Sequence, residues 1–134
     1  MKSLRGYIFS RKFMGDFCHQ NTQNLVLRDY CERKNYKYLL SFTEYGIIDS
    51  YLMFQECIDL IPGVNGIVCY SLFMLPENQV ERRNFLNTVL DKGGEIHFAL
   101  EGLKISTCSE LERIECIWLI RQTMENCITT IYDK

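Results

Sequence analysis

Four short apolar runs alternate along the chain with longer stretches in which apolar residues recur every three or four positions. The short runs predict buried β-strands at residues 6–10, 38–43, 66–71 and 95–100. The longer stretches predict amphipathic helices at residues 20–34, 50–61, 77–91 and 109–126. Parallel strands need crossover helices between them. The alternation therefore predicts a doubly wound, three-layer α/β sandwich with four parallel strands, the first of them central.

Several residues indicate where the helices begin and end. Pro76 is suited to the first turn of the third predicted helix, because that turn does not use the missing N–H. Gly93 and Gly94 end the same helix. Ser109 is a good N-cap for the last helix, and Glu112 lies three residues later, as in a capping box.

The length and charge of the chain narrow its class. With 134 residues and no linker or repeat, residues 1–134 form a single domain. The formal net charge is -2, and the sequence has no basic stripe of the kind that contacts phosphates, so specific DNA binding is not expected. No apolar run is long enough to cross a bilayer, and the first predicted strand follows the start directly. We therefore expect a cytoplasmic protein without a membrane anchor or signal peptide.

The seven cysteines are irregularly spaced, and several lie in apolar runs. This pattern predicts reduced, mostly buried thiols, and it predicts neither a structural metal site nor a cofactor. His97 lies in the middle of a predicted strand and is expected to be a hydrogen-bonded core residue. His19 follows Cys18, but neighbouring side chains of an extended segment point in opposite directions, which disfavours a Cys–His nucleophile.

A polar set follows the predicted strands. In open parallel sheets, ligands bind beyond the carboxyl ends of the strands, so this set is the candidate site. Its candidate catalytic residues are Ser10, Arg11 and Glu44. Its candidate ligand-binding residues are Gln23, Asn24, Arg28, Tyr45, Ser71 and Glu101. Hydroxyl, amide, carboxylate and guanidinium groups suit a sugar or a small anion, although residues of these types also cap helices and satisfy loops.

The segments 7–10, 23–31, 42–46 and 102–107 resemble the catalytic domain of serine recombinases, the resolvases and invertases. The resemblance implies a resolvase-like fold in which Ser10 matches a serine that attacks a DNA phosphate. Ile8 occupies the place of an arginine in the first strand, however. Phe73, Met74 and Glu77 occupy the place of a motif rich in aspartate and arginine. Because phosphoryl transfer depends on cations that stabilise the phosphate oxygens, these departures make DNA strand transfer unexpected.

A second resemblance covers nearly the whole chain and is to the sporadic carbohydrate cluster proteins, a family of small bacterial proteins. It rests on residues 5–11 with 13–15, on 23–31, 43–45, 51–53 and 66–72, and on 94–99 with 101–102. It implies a role in surface-polysaccharide or sugar-nucleotide metabolism and, at the candidate site, a sugar or sugar-phosphate ligand.

The last predicted helix has apolar residues on more than one face, including Ile114, Ile117, Trp118 and Ile120. One sheet covers only one of these faces. A symmetric homodimer is the simplest cover for the rest, and folding of the loop at residues 11–19 over the helix is the alternative. Two functions therefore stay open: a sugar-related protein with an open polar pocket, and a non-catalytic interaction module whose polar residues are used within the fold.

Overall fold

The computed structural model of the chain describes residues 1–13, 17–47 and 49–132, with the side chains of all these residues except 125–132. The strands are β1 (Ser3–Phe9), β2 (Lys37–Glu44), β3 (Gly66–Cys69), β4 (Glu95–Phe98) and β5 (Leu103–Ile105). The α-helices are α1 (Gln20–Arg33), α2 (Leu52–Asp59), α3 (Gln79–Asp91) and α4 (Cys108–Tyr132). A single 3₁₀ turn, Leu72–Met74, follows β3.

The strands form one sheet in the order β2-β1-β3-β4-β5. The first four strands are parallel to their neighbours, and β5 runs antiparallel to β4. The predicted α/β fold is therefore confirmed, but the prediction of four strands is wrong. β1 lies inside the sheet between β2 and β3, whereas the middle strand is β3. The strand order changes direction beside β1, and this places a crevice at the carboxyl ends of β1 and β3.

The fifth strand could not be found from periodicity because it has only three residues. Gly102, with φ of 67°, makes the tight turn that returns the chain along β4. Ile105 is buried against the core, and Phe98 pairs with Leu103 across the turn. This short hairpin protects the edge of β4 and sets the starting point of α4.

Two predicted helix starts are wrong by a few residues. Pro76 lies before α3 rather than in its first turn, and Asn78 caps the helix by accepting a hydrogen bond from the Glu81 N–H. α4 begins at Cys108, and its cap is Thr107 instead of Ser109: the Thr107 hydroxyl accepts from the Glu110 N–H, and the Glu110 carboxylate accepts from the Ser106 N–H. Both pairs have the spacing of a capping box, and the end of β5 determines which of them is used.

The two faces of the sheet have separate apolar clusters because side chains alternate along each strand. Leu4 and Ile8 of β1 pack with Leu27 and Cys31 of α1 on one face. Tyr7 and the other strand residues whose side chains point to the second face pack against α2, α3 and α4. α1 therefore covers one face alone, and the other three helices share the second.

α4 packs on the domain through residues that the sequence had assigned to a partner. Ile114 and Trp118 are buried within the chain, so a second copy is not needed to cover them. The Arg82 guanidinium lies 4.4 Å from the Trp118 ring and 2.5 Å from the Glu115 carboxylate. This contact fixes α4 on α3. The loop predicted as an alternative cover includes residues 14–16, which lie outside the described part of the chain.

The cysteines divide between core and surface. Cys31, Cys57 and Cys69 are buried, whereas Cys108 and Cys116 are exposed. Burial raises the pKa of the Cys31 thiol to about 11 and that of Cys57 to about 12, so both stay protonated at neutral pH. The prediction of mostly buried thiols therefore holds for Cys31, Cys57 and Cys69 but not for Cys108 and Cys116. None of the described helices combines the length and apolarity required to cross a membrane.

His97 is a hydrogen-bonded core residue, as the sequence predicted. Its Nδ1 lies 2.7 Å from the Tyr30 hydroxyl, and its Nε2 lies 3.0 Å from the Glu95 carboxylate. The carboxylate can only accept, so Nε2 carries the proton and Nδ1 accepts from Tyr30. The Lys2 ammonium group lies 3.2 Å from the Glu95 carboxylate and completes this network. Burial, opposed by Glu95, lowers the pKa of His97, and the charges of Lys104 and Lys2 lower it further.

This network predicts a loss of stability in mild acid. The unfolded chain protonates His97 near its ordinary pKa of about 6.5, whereas the folded chain resists the proton. The stabilisation is therefore complete above that pH and declines as the pH falls towards the lowered, folded-state pKa. We expect urea unfolding to show lower stability at pH 5.5 than at pH 7.5, with at most about 1.4 kcal/mol of the difference from this group. His97→Gln should remove that component, and His19→Gln, an exposed control, should keep it. An unchanged pH slope in His97→Gln would contradict the assignment.

Candidate functional site

The carboxyl ends of β1, β2 and β3 bring most of the predicted polar set to one edge of the sheet. Ser10 and Arg11 follow β1, Glu44 ends β2, and Ser71 follows β3. The contacts divide these residues into separate hydrogen-bonded groups, however. Ser10, Arg11 and Glu44 belong to a group beside α2. Ser71 bonds instead to Glu101.

Glu44 organises the first group although it is almost completely buried, with 1% of its surface exposed. One carboxylate oxygen accepts from the Tyr7 hydroxyl at 2.9 Å and from the Phe54 N–H at 3.2 Å. The other accepts from the Tyr45 N–H at 3.0 Å and the Ser50 hydroxyl at 3.2 Å. The Met53 N–H reaches both oxygens. Among the described residues, Glu44 forms no ion pair.

This carboxylate is the N-terminal cap of α2. Met53 and Phe54 lie in the first turn of the helix, where backbone N–H groups have no partner within the helix. No side chain at the local cap position, Tyr51, performs this role. A negative charge at this end also interacts favourably with the helix dipole. Burial and then Glu44 raise the pKa of Tyr7 far above its ordinary value, so the hydroxyl remains a donor.

Ser10 is half-buried, and its hydroxyl donates to the Glu44 carbonyl at 3.0 Å. Among the described residues, Glu44 does not act as a base for it, because its carboxylate already accepts from five donors. Neither histidine activates it, since His97 is enclosed on the α1 side and the His19 ring packs on Phe17 at 5.2 Å. Cys18 donates to the backbone of His19 at 3.7 Å and makes no thiol–imidazole contact.

Arg11 is the cation closest to Ser10 in sequence, and its donors are used to hold a loop. The guanidinium donates to the Tyr45 carbonyl at 2.7 Å and to the Ser50 carbonyl at 2.8 Å. It also packs over the Phe9 ring at 4.3 Å and the Tyr51 ring at 5.2 Å. These contacts fix the chain between β2 and α2, which is the same segment that Glu44 holds from the other side.

Gln23 uses its amide to extend β1. Its oxygen accepts from the Phe9 N–H at 3.0 Å, and its nitrogen donates to the Phe9 carbonyl at 2.9 Å and the Cys18 carbonyl at 2.7 Å. The side chain is fully buried. Both amide hydrogens are therefore used, and the structure gives Gln23 to the backbone rather than to a ligand.

Ser71 and Glu101 form a second internal group. Ser71 donates to one Glu101 oxygen at 2.8 Å and accepts from the Phe73 N–H at 3.2 Å. The other Glu101 oxygen accepts from the Leu72 N–H at 3.0 Å. Ser71 is buried and caps the 3₁₀ turn. Ser71 is therefore closed to solvent, whereas Ser10 is half-buried.

The remaining predicted residues lie around the edge of this region. The Asn24 carbonyl oxygen accepts from Tyr38 at 2.9 Å and Ser41 at 2.7 Å, which ties α1 to β2. Arg28 is exposed, 5.9 Å from the Tyr38 ring. Tyr45 is exposed at the end of β2. No group of described residues has the three or more Cys, His, Asp or Glu side chains needed to hold a metal ion.

The sequence did not single out Tyr7, Ser50 or Tyr51, which complete the group around Glu44 and Arg11. Tyr7 was interpreted as a core strand residue, and it is buried, but its hydroxyl reaches the end of the neighbouring strand. A tyrosine in a buried strand needs a hydrogen-bond partner for its hydroxyl, and this need was the signal available in the sequence. Ser50 and Tyr51 were assigned to the second helix, whereas they precede α2.

Comparisons with known proteins agree with this architecture. The chain aligns with a resolvase family site-specific recombinase from Streptococcus pneumoniae with a TM-score of 0.59 and 17% identity, covering 96% of this chain and 99% of that one. It aligns with the N-terminal catalytic domain of TP901-1 integrase with a TM-score of 0.55 and 17% identity, covering 92% and 98%. No protein-family profile matches, and neither does any curated protein. The chain therefore has a resolvase-like fold.

The capping role of Glu44 gives a stability prediction. Glu44→Gln places an amide N–H₂ among groups that are all donors, so at least one buried donor loses its partner. We expect a loss of roughly 2–4 kcal/mol in the free energy of unfolding, measured by urea denaturation. Glu56→Gln, an exposed carboxylate on α2 that makes no such contacts, should change stability by less than about 0.5 kcal/mol. Equal stability of the two variants would refute the cap.

Proposed function

We propose that the chain is a non-catalytic interaction module built on the resolvase-like fold, and that it self-associates through α4. One observation carries the first part: the polar residues at the strand ends are used in hydrogen bonds within the chain. Glu44 caps α2, Gln23 extends β1, and Ser71 caps the 3₁₀ turn.

The residues that replace the charged motif of the recombinases also support a non-catalytic role. Ile8 is buried in the cluster beneath α1. Met74 is buried in the opposite cluster, and the Phe73 ring packs on Trp118 at 5.2 Å. At these positions the chain has apolar side chains that pack in the core, in place of the charged side chains of the recombinases. Each lost electrostatic group costs about 10²–10³ in rate in reactions of this kind, and several are missing here.

The outer surface of α4 supports self-association. Between Trp118 and residue 124, the helix exposes the apolar side chains Leu119, Ile120 and Met124, each more than half accessible. Ile120 and Met124 are four residues apart and therefore lie on one face. The 25-residue helix is roughly 37 Å long, long enough to pair with a second copy. A symmetric pair would cover the same apolar stripe on both chains.

Light scattering at micromolar concentration tests this association. We expect a particle of twice the 15.9 kDa chain mass. The double variant Ile120→Glu with Met124→Glu should be monomeric, because it places charges in the proposed interface. Leu25→Glu changes an equally exposed apolar residue on α1 and should remain dimeric. A monomeric wild type, or dissociation of the Leu25 variant to the same extent, would overturn the proposal.

A nicking assay on supercoiled plasmid tests the absence of strand-transfer chemistry. We expect no cleavage by the wild type and only weak, salt-sensitive DNA binding, since the net charge is -2 and no basic face was found in the sequence. Ser10→Ala should behave like the wild type. Cleavage that Ser10→Ala abolishes would contradict the proposal and restore Ser10 as a nucleophile.

The role in surface-polysaccharide or sugar-nucleotide metabolism implied by the second resemblance stays an alternative proposal, with the cytoplasmic location that the cysteines predict. It rests on the sequence segments that resemble the sporadic carbohydrate cluster proteins, together with the exposed Tyr45 at the strand ends. Sugar rings stack on such aromatic side chains. A higher melting temperature in the presence of a nucleotide sugar or sugar phosphate, absent with matched nucleotides or phosphate alone, would favour it over the interaction module.

A further inference from the structure

A groove of about 540 Å³ lies between the N-terminal end of α2 and α3. The Tyr51 and Phe85 rings form its inner wall, with their centroids 6.1 Å apart and their planes inclined by 52°. Ile47 and Leu52 form its rim, and both are more than 60% exposed. The volume lies within the range of small-molecule sites. Exposed apolar side chains around an aromatic wall indicate a surface that an apolar body would cover.

The charges of the groove have one sign. Asp49 and Glu81 are its charged lining residues, and none of its lining residues is basic. Burial raises the pKa of Tyr51, the hydrogen bond and charge of Arg11 lower it, and the charges of Asp49 and Glu81 raise it by smaller amounts. Within the described part of the chain, neither forms an ion pair with a cation. The groove therefore combines aromatic faces with two carboxylates that form no ion pair with a described residue.

The positive charge of Arg11 does not neutralise this groove. Its guanidinium lies 5.2 Å from the Tyr51 ring, and it affects the pKa of Tyr51 more than either carboxylate does. It is not a lining residue, however, and it donates to the carbonyls of Tyr45 and Ser50. Those bonds engage Arg11 with the backbone, whereas Asp49 and Glu81 line the groove. An incoming group meets the carboxylates and the aromatic rings.

We propose that this groove binds a small organic cation, an ammonium or guanidinium group attached to an aromatic or alkyl body. The body packs against Tyr51, Phe85 and Leu52, and the cation lies between the carboxylates. Cations are also attracted to the faces of tyrosine and phenylalanine rings. The site is separate from the exposed face of α4, so it does not depend on the proposed self-association.

A titration followed by ¹H–¹⁵N NMR tests the proposal with 2-phenylethylammonium as the probe. We expect a roughly millimolar dissociation constant, which is appropriate to a ligand of about nine heavy atoms. Shifts should concentrate at the amides of Leu52 and Phe85. The neutral analogue 2-phenylethanol should bind at least about fivefold more weakly, because it lacks the charge. Raising the salt concentration should weaken the binding of the amine alone.

Paired variants separate local charge from net charge. Asp49→Asn with Glu81→Gln should weaken binding of the amine at least about fivefold and leave the alcohol unchanged. Asn is compatible with the positive φ of 64° at position 49, so the loop should keep its conformation. Glu32→Gln with Asp91→Asn removes two exposed charges elsewhere and should bind as the wild type does. Equal affinity for amine and alcohol, an unaffected Asp49/Glu81 variant, or shifts confined to other regions would each overturn the proposal.

Discussion

The hydrogen bonds of the buried Glu44 carboxylate hold together the carboxyl ends of the strands. They join Tyr7 of β1, the end of β2, the following loop at Ser50, and the first turn of α2. A buried carboxylate is costly unless its oxygens are satisfied, and here neutral donors and a helix N-terminus satisfy them in place of a cation. Both carboxylate oxygens are therefore engaged within the chain. Arg11 fixes the same loop through its carbonyls, which makes the segment a joint between sheet and helix.

The switch point of a doubly wound sheet attracts polar residues for two different reasons. It is the usual place for a ligand, and it is also where several loops and helix starts need hydrogen-bond partners. In this chain the second need accounts for Gln23, Glu44 and Ser71, each of which bonds to backbone groups. The fold therefore carries little information about activity by itself. The similarity to two recombinase domains at 17% identity describes the architecture alone.

The surface outside the switch point has a different character. Apolar side chains remain exposed on the outer face of α4 and around the groove between α2 and α3. The first surface has a helical stripe suited to another helix. The second has a concave aromatic wall with two carboxylates, which suits a small cation. Both surfaces lie on the face of the sheet that three helices share, so interactions of this domain are expected on that side.

The sequence by itself determined the alternation of strands and helices, the parallel core of the sheet and the edge at which the polar residues gather. These properties follow from hydrophobic periodicity and from the handedness of crossover connections, which are local rules. His97 as a satisfied core residue was also predictable, since it lies inside a buried strand. The same rules missed β5, because three residues carry too little periodicity, and they misplaced the caps of α3 and α4, because two positions offered similar capping chemistry.

Only the tertiary structure decided what the polar residues do. Glu44 could have faced a ligand as well as α2, and the choice depended on where the first turn of α2 came to lie against β2. Likewise, the sequence predicted that a second chain covers Trp118, whereas in the structure Arg82 of α3 packs against its ring. Hydrogen bonds and packing between segments far apart in sequence depend on positions within a few tenths of an ångström. A linear pattern of residue types does not contain that information, so the sequence could place the candidate site but not show that its members were already bonded to one another.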